Sequence, residues 1–175
     1  MGGGTMKVVS LGVVMAITST LAHAEDMAEM ISRYRRDHGL STVRTDPQLT
    51  AIAERQAKAM AASGIMDHNV AGSFASRVSG AHLGMAAENI AAGTKTWAET
   101  FRMWQNSPGH NANLLLPPAD SVGVAVARNN DTQYKTFWAM VIADKSPKRK
   151  DRKAGVDTSE NAISTVKHFV CKYLC

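Results

Sequence analysis

The sequence predicts an α+β protein in which helices come first along the chain and an antiparallel hairpin comes last. Three observations lead to this prediction. Apolar residues recur at helical spacing in residues 27–38, a second helical pattern follows over residues 46–64, and valines alternate with small residues from Val122 to Val126. Because the helical segments each carry one apolar face, we expect them to pack on a small sheet.

The helices have recognisable starts and ends. In residues 27–38, apolar side chains at i, i+3, i+4 and i+7 share one face, and a glycine follows. Residues 46–64 begin with aspartate and proline, a good N-cap and first helical residue, and close on glycine. A third helix is predicted to begin at Thr96, because Thr96 and Glu99 have the spacing of a capping box.

The strands are predicted from alternation and from turn residues. Residues 65–93 are rich in Gly, Ser and Ala without a helical period, which indicates loops and one short irregular strand over residues 88–91. Residues 122–126 alternate between valine and small residues, residues 129–131 form a turn, and residues 134–143 are the hairpin partner.

The N-terminus has the pattern of an export signal. Lys7 supplies a positive charge, Val8 to Leu21 is mostly apolar, and Ala22-His23-Ala24 has the small-x-small form of a cleavage site. The apolar stretch is too short and too rich in Ser and Thr to predict a membrane span. We expect residues 1–24 to be a signal peptide cleaved near Ala24 and the protein to be secreted or periplasmic, with a retained N-terminal anchor as the alternative.

The basic charge is confined to the C-terminal part of the chain. Residues 25–144 contain 11 Lys and Arg against 12 Asp and Glu, whereas residues 145–175 contain 8 against 3. We therefore expect one domain over residues 25–144, a largely disordered basic tail over residues 145–175, a monomer, and no binding of nucleic acid. Within the tail, apolar spacing from Ile163 to Leu174 is compatible with a short amphipathic helix.

The chain's two cysteines, Cys171 and Cys175, both lie in that tail. In an oxidising compartment they pair with each other or with another chain. A disulfide-stapled core is therefore not predicted.

Two histidines and one acid are the candidates for chemistry. Ser107 and Pro108 start a helical turn, so His110 lies near a positive helix end that favours a neutral imidazole. Glu88 stands among small apolar residues, where a buried carboxylate needs partners. With His68, these residues would satisfy the needs of zinc with an open position. The same three would equally form a hydrogen-bonded cluster without metal, and the sequence does not choose between the two.

Several ordered motifs together resemble the bacterial CAP (SCP-like) domain, over about residues 27–143. They are Tyr34-Arg35…His38-Gly39-Leu40, Asp46-Pro47-Gln48-Leu49, His68 followed by Arg77, Glu88-Asn89-Ile90, Trp104 with Ser107-Pro108-Gly109-His110, Val122-Gly123-Val124 and Phe137-Trp138. The resemblance implies a three-layer α-β-α sandwich with a small antiparallel sheet and a central cleft. Its cleft residues would be His68, Glu88 and His110, supported by Arg77, Asn89 and Ser107.

The resemblance also implies partners for the cleft. They are a divalent metal, zinc or magnesium, held by His68, Glu88 and His110, or a small apolar or lipid ligand. A non-enzymatic binding module is the favoured function. The alternatives are a metal-assisted hydrolase that uses Glu88 as general base, and a protein whose basic tail binds cell-envelope polymers or anionic lipid. The chain departs from animal members, because Ser107 replaces an acid and residues 117–120 contain no histidine.

Overall fold

The described part of the chain, residues 18–145 of the computed structural model, contains helices on both sides of a four-stranded sheet. Side chains are described from Met27 onward. In chain order the elements are α1 (Thr18–Asp37), β1 (Arg44–Thr45), α2 (Pro47–Ser63), α3 (Phe74–Val78), a 3-10 turn (Ser79–Ala81), β2 (Ala86–Ala92), α4 (Trp97–Asn106), α5 (Pro108–Leu114), β3 (Ser121–Arg128) and β4 (Thr136–Ala143).

The sheet has the strand order β1-β3-β4-β2. The predicted hairpin is present, with β3 and β4 antiparallel from the Ser121–Ala143 pair to the Arg128–Thr136 pair. Strand β2 adds to the other side of β4, also antiparallel. The two-residue strand β1 was not predicted, and it pairs parallel to β3. The sheet is therefore mixed, with an antiparallel three-stranded body.

Strand β4 separates two apolar cores, because successive side chains of a strand point to opposite faces. Phe137 and Val141 belong to the core beneath α2 and α3. Trp138 and Met140 belong to the core beneath α1 and α4, which also holds Trp104. Helices thus cover both faces, which confirms the α+β class and the three-layer sandwich.

Helix α2 lies directly on β3 at Gly123. A Cβ atom built at Gly123 would come within 2.1 Å of the Thr50 backbone nitrogen and 2.2 Å of the Leu49 carbonyl carbon. No side chain fits against backbone atoms at such distances. Glycine in the Val-Gly-Val strand is therefore what allows α2 to pack on the sheet.

The predicted helix starts at Asp46 and Thr96 are both present. The Asp46 carboxylate accepts a hydrogen bond from the Leu49 amide at 2.9 Å, and it forms an ion pair with Lys145 Nζ at 2.7 Å. Burial by itself raises the pKa of Asp46, but these contacts outweigh it and lower the pKa below its usual value. Thr96 and Glu99 form the complete capping box of α4.

Residues 65–93 are more ordered than the sequence indicates. They contain α3, whose N-cap Ser73 accepts from the Ser76 amide at 3.2 Å, and the 3-10 turn. The predicted irregular strand at residues 88–91 is a regular seven-residue strand, β2. The prediction was wrong here because small residues weaken both the helical and the strand signal. Strand β4 also begins later than predicted, at Thr136.

The ends of the chain are only partly described. Helix α1 begins at Thr18, before the predicted cleavage site, so the helix includes Ala24. The first seventeen residues, the basic tail from residue 146 and the predicted helix over residues 163–174 lie outside the described residues. Among the helices that the structure describes, none combines the length and apolarity needed to cross a bilayer.

Candidate functional site: a buried glutamate, an arginine and two histidines

Glu88 lies in the middle of β2, and its side chain is buried. Because successive side chains of a strand alternate, Glu88 and Asn89 point to opposite faces of the sheet. Glu88 lies on the face covered by α2, together with Ala86 and Ile90. Only 2% of the Glu88 side chain is exposed. A carboxylate so placed is costly unless it is paired with a cation and hydrogen-bonded.

Arg77 supplies that pairing from α3. Its Nη1 lies 2.5 Å from Glu88 Oε2 and its Nη2 lies 2.8 Å from Glu88 Oε1, so the contact is bidentate. The guanidinium also donates to the carbonyls of His68 at 2.9 Å and Gly72 at 3.1 Å. Arg77 thereby neutralises the buried acid and fixes the loop that carries His68.

His68 completes what we call the Glu88 cluster, which consists of His68, Arg77 and Glu88. Its Nδ1 lies 2.7 Å from Glu88 Oε1. At 13% side-chain exposure, His68 is the member of the cluster nearest to solvent, whereas the other two are 2% exposed. With Nδ1–H donating to the carboxylate, the neutral ring presents Nε2 as an acceptor.

His110 is buried on α5, with 2% of the residue exposed. Its Nδ1 lies 3.0 Å from Ser107 Oγ. Burial, and to a smaller extent the electrostatic effect of a charge on His68, lower the pKa of His110 to about 4. The predicted neutral imidazole agrees with this value, although burial is the main cause. Ser107 occupies the N-cap position but makes no side-chain capping bond, contrary to the expectation for its hydroxyl.

Two asparagines join His110 to the Glu88 cluster. Asn89 Nδ2 donates to the His110 carbonyl at 3.1 Å. Asn113 Nδ2 donates to the Glu88 carbonyl at 3.1 Å and to Asn89 Oδ1 at 2.8 Å. Since β2 is an edge strand, the bond from Asn113 also occupies a backbone carbonyl, that of Glu88, which an additional strand would otherwise use.

The structure thus brings His68, Arg77 and Glu88 into direct contact and places His110, Ser107 and Asn89 in an adjoining network. Sequence reasoning missed Asn113 as a site residue. It also treated Arg35 only as part of a motif. Arg35 is fully buried and donates to four backbone carbonyls, those of Ser41, Leu114, Leu116 and Ala119.

The carbonyls bound by Arg35 hold the segment after α5 against α1. The signal for this role was available in the sequence, because position 35 follows Ile31 by four residues on the apolar face of α1. Burial lowers the pKa of Arg35, since no solvent shares its charge. Its neighbour Tyr34 donates to Asn111 Oδ1 at 2.8 Å and so binds α1 to α5 directly.

A divalent metal at this site would need free donor atoms on His68, Glu88 and His110. Both Glu88 oxygens already accept from the Arg77 guanidinium, which would stand as a cation beside the ion. Among the described residues there is no group of three or more His, Cys, Asp or Glu side chains arranged to hold a metal. Glu88 therefore does not fit the role of a metal ligand in this arrangement, and the predicted zinc or magnesium stays a prediction.

The fold and the site define a class: an α-β-α sandwich whose edge strand carries a Glu-Asn pair next to two histidines. The family model described as CAP, the cysteine-rich secretory protein family, matches residues 28–142. The chain belongs to this family, as its motifs indicate.

One curated protein and two solved structures illustrate the similarity. The uncharacterized protein YkwD of Bacillus subtilis is 28% identical over 127 residues, which are 70% of this chain and 49% of the relative. The chain therefore spans about half the length of the curated relative it matches. A solved extracellular SCP-domain protein of Bacillus anthracis has a TM-score of 0.61 at 22% identity, over 75% of this chain and 45% of that one.

An outer surface protein of Borrelia burgdorferi has a TM-score of 0.63 at 17% identity, over 74% of this chain and 96% of that one. At such identities the two solved structures support the fold alone.

Proposed function

We propose that this chain is an exported, non-enzymatic binding module that recognises a small ligand through His68. The observation that carries the proposal is the state of Glu88, whose two oxygens are bound by Arg77 and His68 in a site only 2% exposed. Such a carboxylate holds its neighbours in place, and both of its oxygens are already hydrogen-bonded within the cluster. This argues against Glu88 as the general base of a hydrolase, which needs a proton within reach.

The same contacts favour a binding role for His68. A histidine whose Nδ1–H is held by a carboxylate has a defined ring orientation, so Nε2 meets a ligand with little loss of side-chain entropy. A neutral ring with Nδ1–H offers Nε2 as a hydrogen-bond acceptor. We infer a ligand with a hydroxyl or similar donor on an otherwise small, apolar body.

Export is supported by the sequence pattern that ends at Ala24. It is also consistent with the two similar solved structures, one of an extracellular protein and one of an outer surface protein. The proposed site residues all lie within the domain over residues 28–142.

Native mass spectrometry of the protein purified from the exported fraction, without chelator, tests this proposal. The expected result is a bound mass of a small organic molecule that is lost in His68→Ala and kept in His82→Asn. His82 is a suitable control because it is an exposed histidine at φ +52°, a conformation that asparagine tolerates.

The alternative outcomes each have a meaning. A bound mass of one divalent ion that disappears in His68→Ala would support the metal prediction and contradict an organic ligand. A protein that never retains a ligand mass would contradict the binding role itself. Recovery of the protein only from the cytoplasm would contradict export.

A further inference from the structure

A second concavity lies where α3, the 3-10 turn and the start of β2 meet. It has a volume of about 340 Å³, and none of the three residues of the Glu88 cluster lines it. Its walls include Val78, Leu83 and Ala86, which belong to or pack against the core beneath α2, and Ser79 lies at its rim. An apolar side chain inserted here would therefore extend an existing core.

The described chain ends beside this pocket. The Gly84 amide donates to the Asp144 carbonyl at 2.9 Å, and the Asp144 amide donates to the Met85 carbonyl at 2.9 Å. Lys145 Nζ then donates to Gln48 Oε1 at 3.1 Å, and Gln48 Nε2 donates to the carbonyl of Gly80 in the 3-10 turn at 3.4 Å. The tail that follows Lys145 thus starts at the edge of the pocket.

The charges at this exit are opposite to those of the tail. Lys145 Nζ pairs with the Asp46 carboxylate at 2.7 Å, and the Lys145 amide donates to Asp120 Oδ1 at 3.0 Å. Asp144 places a third carboxylate beside Gly84. Beyond Lys145, residues 146–153 contain five more Lys and Arg. Attraction between these basic residues and the carboxylates at the exit favours a tail that stays near its own domain.

The sequence of the tail supplies an apolar segment that suits the pocket. Ile163, Val166 and Phe169 recur at helical spacing. The other three of the chain's four phenylalanines are buried in the described domain, and Phe169 is the fourth. Seventeen residues lie between Lys145 and Ile163, and a chain of about 3.3 Å per residue easily returns to the pocket over that length.

We propose that the segment 163–174 of this chain docks in the pocket between α3 and β2, with Phe169 as its principal apolar contact. The tethered segment needs little intrinsic affinity, because its connection to Lys145 gives it a high effective concentration. The docked tail would pack against the half-buried Leu83 and would bring Cys171 close to the rim at Ser79.

The chain's own cysteines make a sharp test, because both lie in the tail. Full-length protein carrying Cys175→Ser and Ser79→Cys is oxidised with glutathione disulfide, and disulfide formation is followed by non-reducing peptide mapping. The matched control carries Cys175→Ser and Ala62→Cys. Ala62 is also exposed and lines a different shallow concavity, at the other end of α2.

We expect the intrachain disulfide to form about ten-fold faster at position 79 than at position 62. Equal rates would overturn the proposal. Disulfide-linked dimers whose yield rises with protein concentration would also overturn it, because they would mean that the tail of a second copy, and not the chain's own tail, occupies the pocket.

A second variant separates docking from mere proximity. Phe169→Asp should remove the rate advantage at position 79 and increase amide hydrogen exchange over residues 75–86. Val156→Asp, a change of the same kind outside the apolar segment, should do neither. An unchanged rate in Phe169→Asp would refute the role of the apolar segment.

Discussion

The ion pair between Arg77 and Glu88 gives the strongest stability prediction. Both side chains are 2% exposed, and the two hydrogen bonds between them measure 2.5 and 2.8 Å. Arg77→Met keeps much of the aliphatic volume but leaves the carboxylate buried without its cation. Removal of one partner from a buried pair costs about 3–5 kcal/mol, so we expect a loss of that size in the free energy of unfolding.

For a domain of this size, such a loss lowers the melting temperature by about 10–20 °C. Urea unfolding followed by tryptophan fluorescence measures the loss in the free energy of unfolding. Arg36→Met is the matched control, because Arg36 pairs with Glu29 at 3.2 Å with side chains 48% and 59% exposed. We expect that control to lose less than about 0.5 kcal/mol.

The double variant Arg77→Met/Glu88→Leu isolates the ion pair from the other hydrogen bonds of Arg77. Replacing both charges with apolar side chains removes the unpaired ion, so the double variant should be more stable than Arg77→Met by at least about 1 kcal/mol. Two results would refute the view that Arg77 is what permits a buried Glu88. One is an equal loss of unfolding free energy in Arg77→Met and Arg36→Met, and the other is a double variant no more stable than Arg77→Met.

Three further predictions concern packing, pH and helix capping. Gly123→Ala should destabilise the domain by about 3 kcal/mol or more, measured by urea unfolding, because the new Cβ would meet the backbone of Leu49 and Thr50 at 2.1–2.2 Å. The depressed pKa of His110, about 4, means that the unfolded chain binds more protons between pH 6.5 and 4, so its contribution to stability is present above pH 6.5 and lost as pH falls towards 4. His110→Gln should therefore show a smaller drop in urea midpoint from pH 7.5 to 4.5 than the unmodified protein, and equal drops would contradict this. Thr96→Ala should cost about 1 kcal/mol through loss of the capping box, and an unchanged melting temperature would exclude that role.

Local sequence signals were sufficient for the elements that begin or end with specific chemistry. The Asp46-Pro47 start and the Thr96–Glu99 capping box depend on bonds within a few residues, so they are visible in the sequence. The β3–β4 hairpin was predicted for a similar reason, since alternation and a polar turn are local features. By contrast, β1 has only two residues and exists because β3 is beside it.

The site was predicted as a set of residues and not as a set of contacts. Glu88 and His110 could be singled out from their local context, an acid among small apolar residues and an imidazole in a first helical turn, and His68 as a possible partner of Glu88. Whether Glu88 faces a metal or an arginine depends on the residue that α3 brings to it, and α3 was not predicted. Arg77 lies eleven residues before Glu88 along the chain, so no local spacing rule relates them.

The amino-acid sequence by itself determined the class of fold, the main helix starts, the hairpin and the residues among which a site had to be sought. These follow from periodicity and from hydrogen bonds between near neighbours. Only the tertiary structure decided that Arg77 holds both oxygens of Glu88, that His110 is neutral mainly through burial, and that Gly123 lies against the backbone of α2. Such contacts join residues that are distant in the chain, and their energies depend on burial, which exists only once the layers have packed.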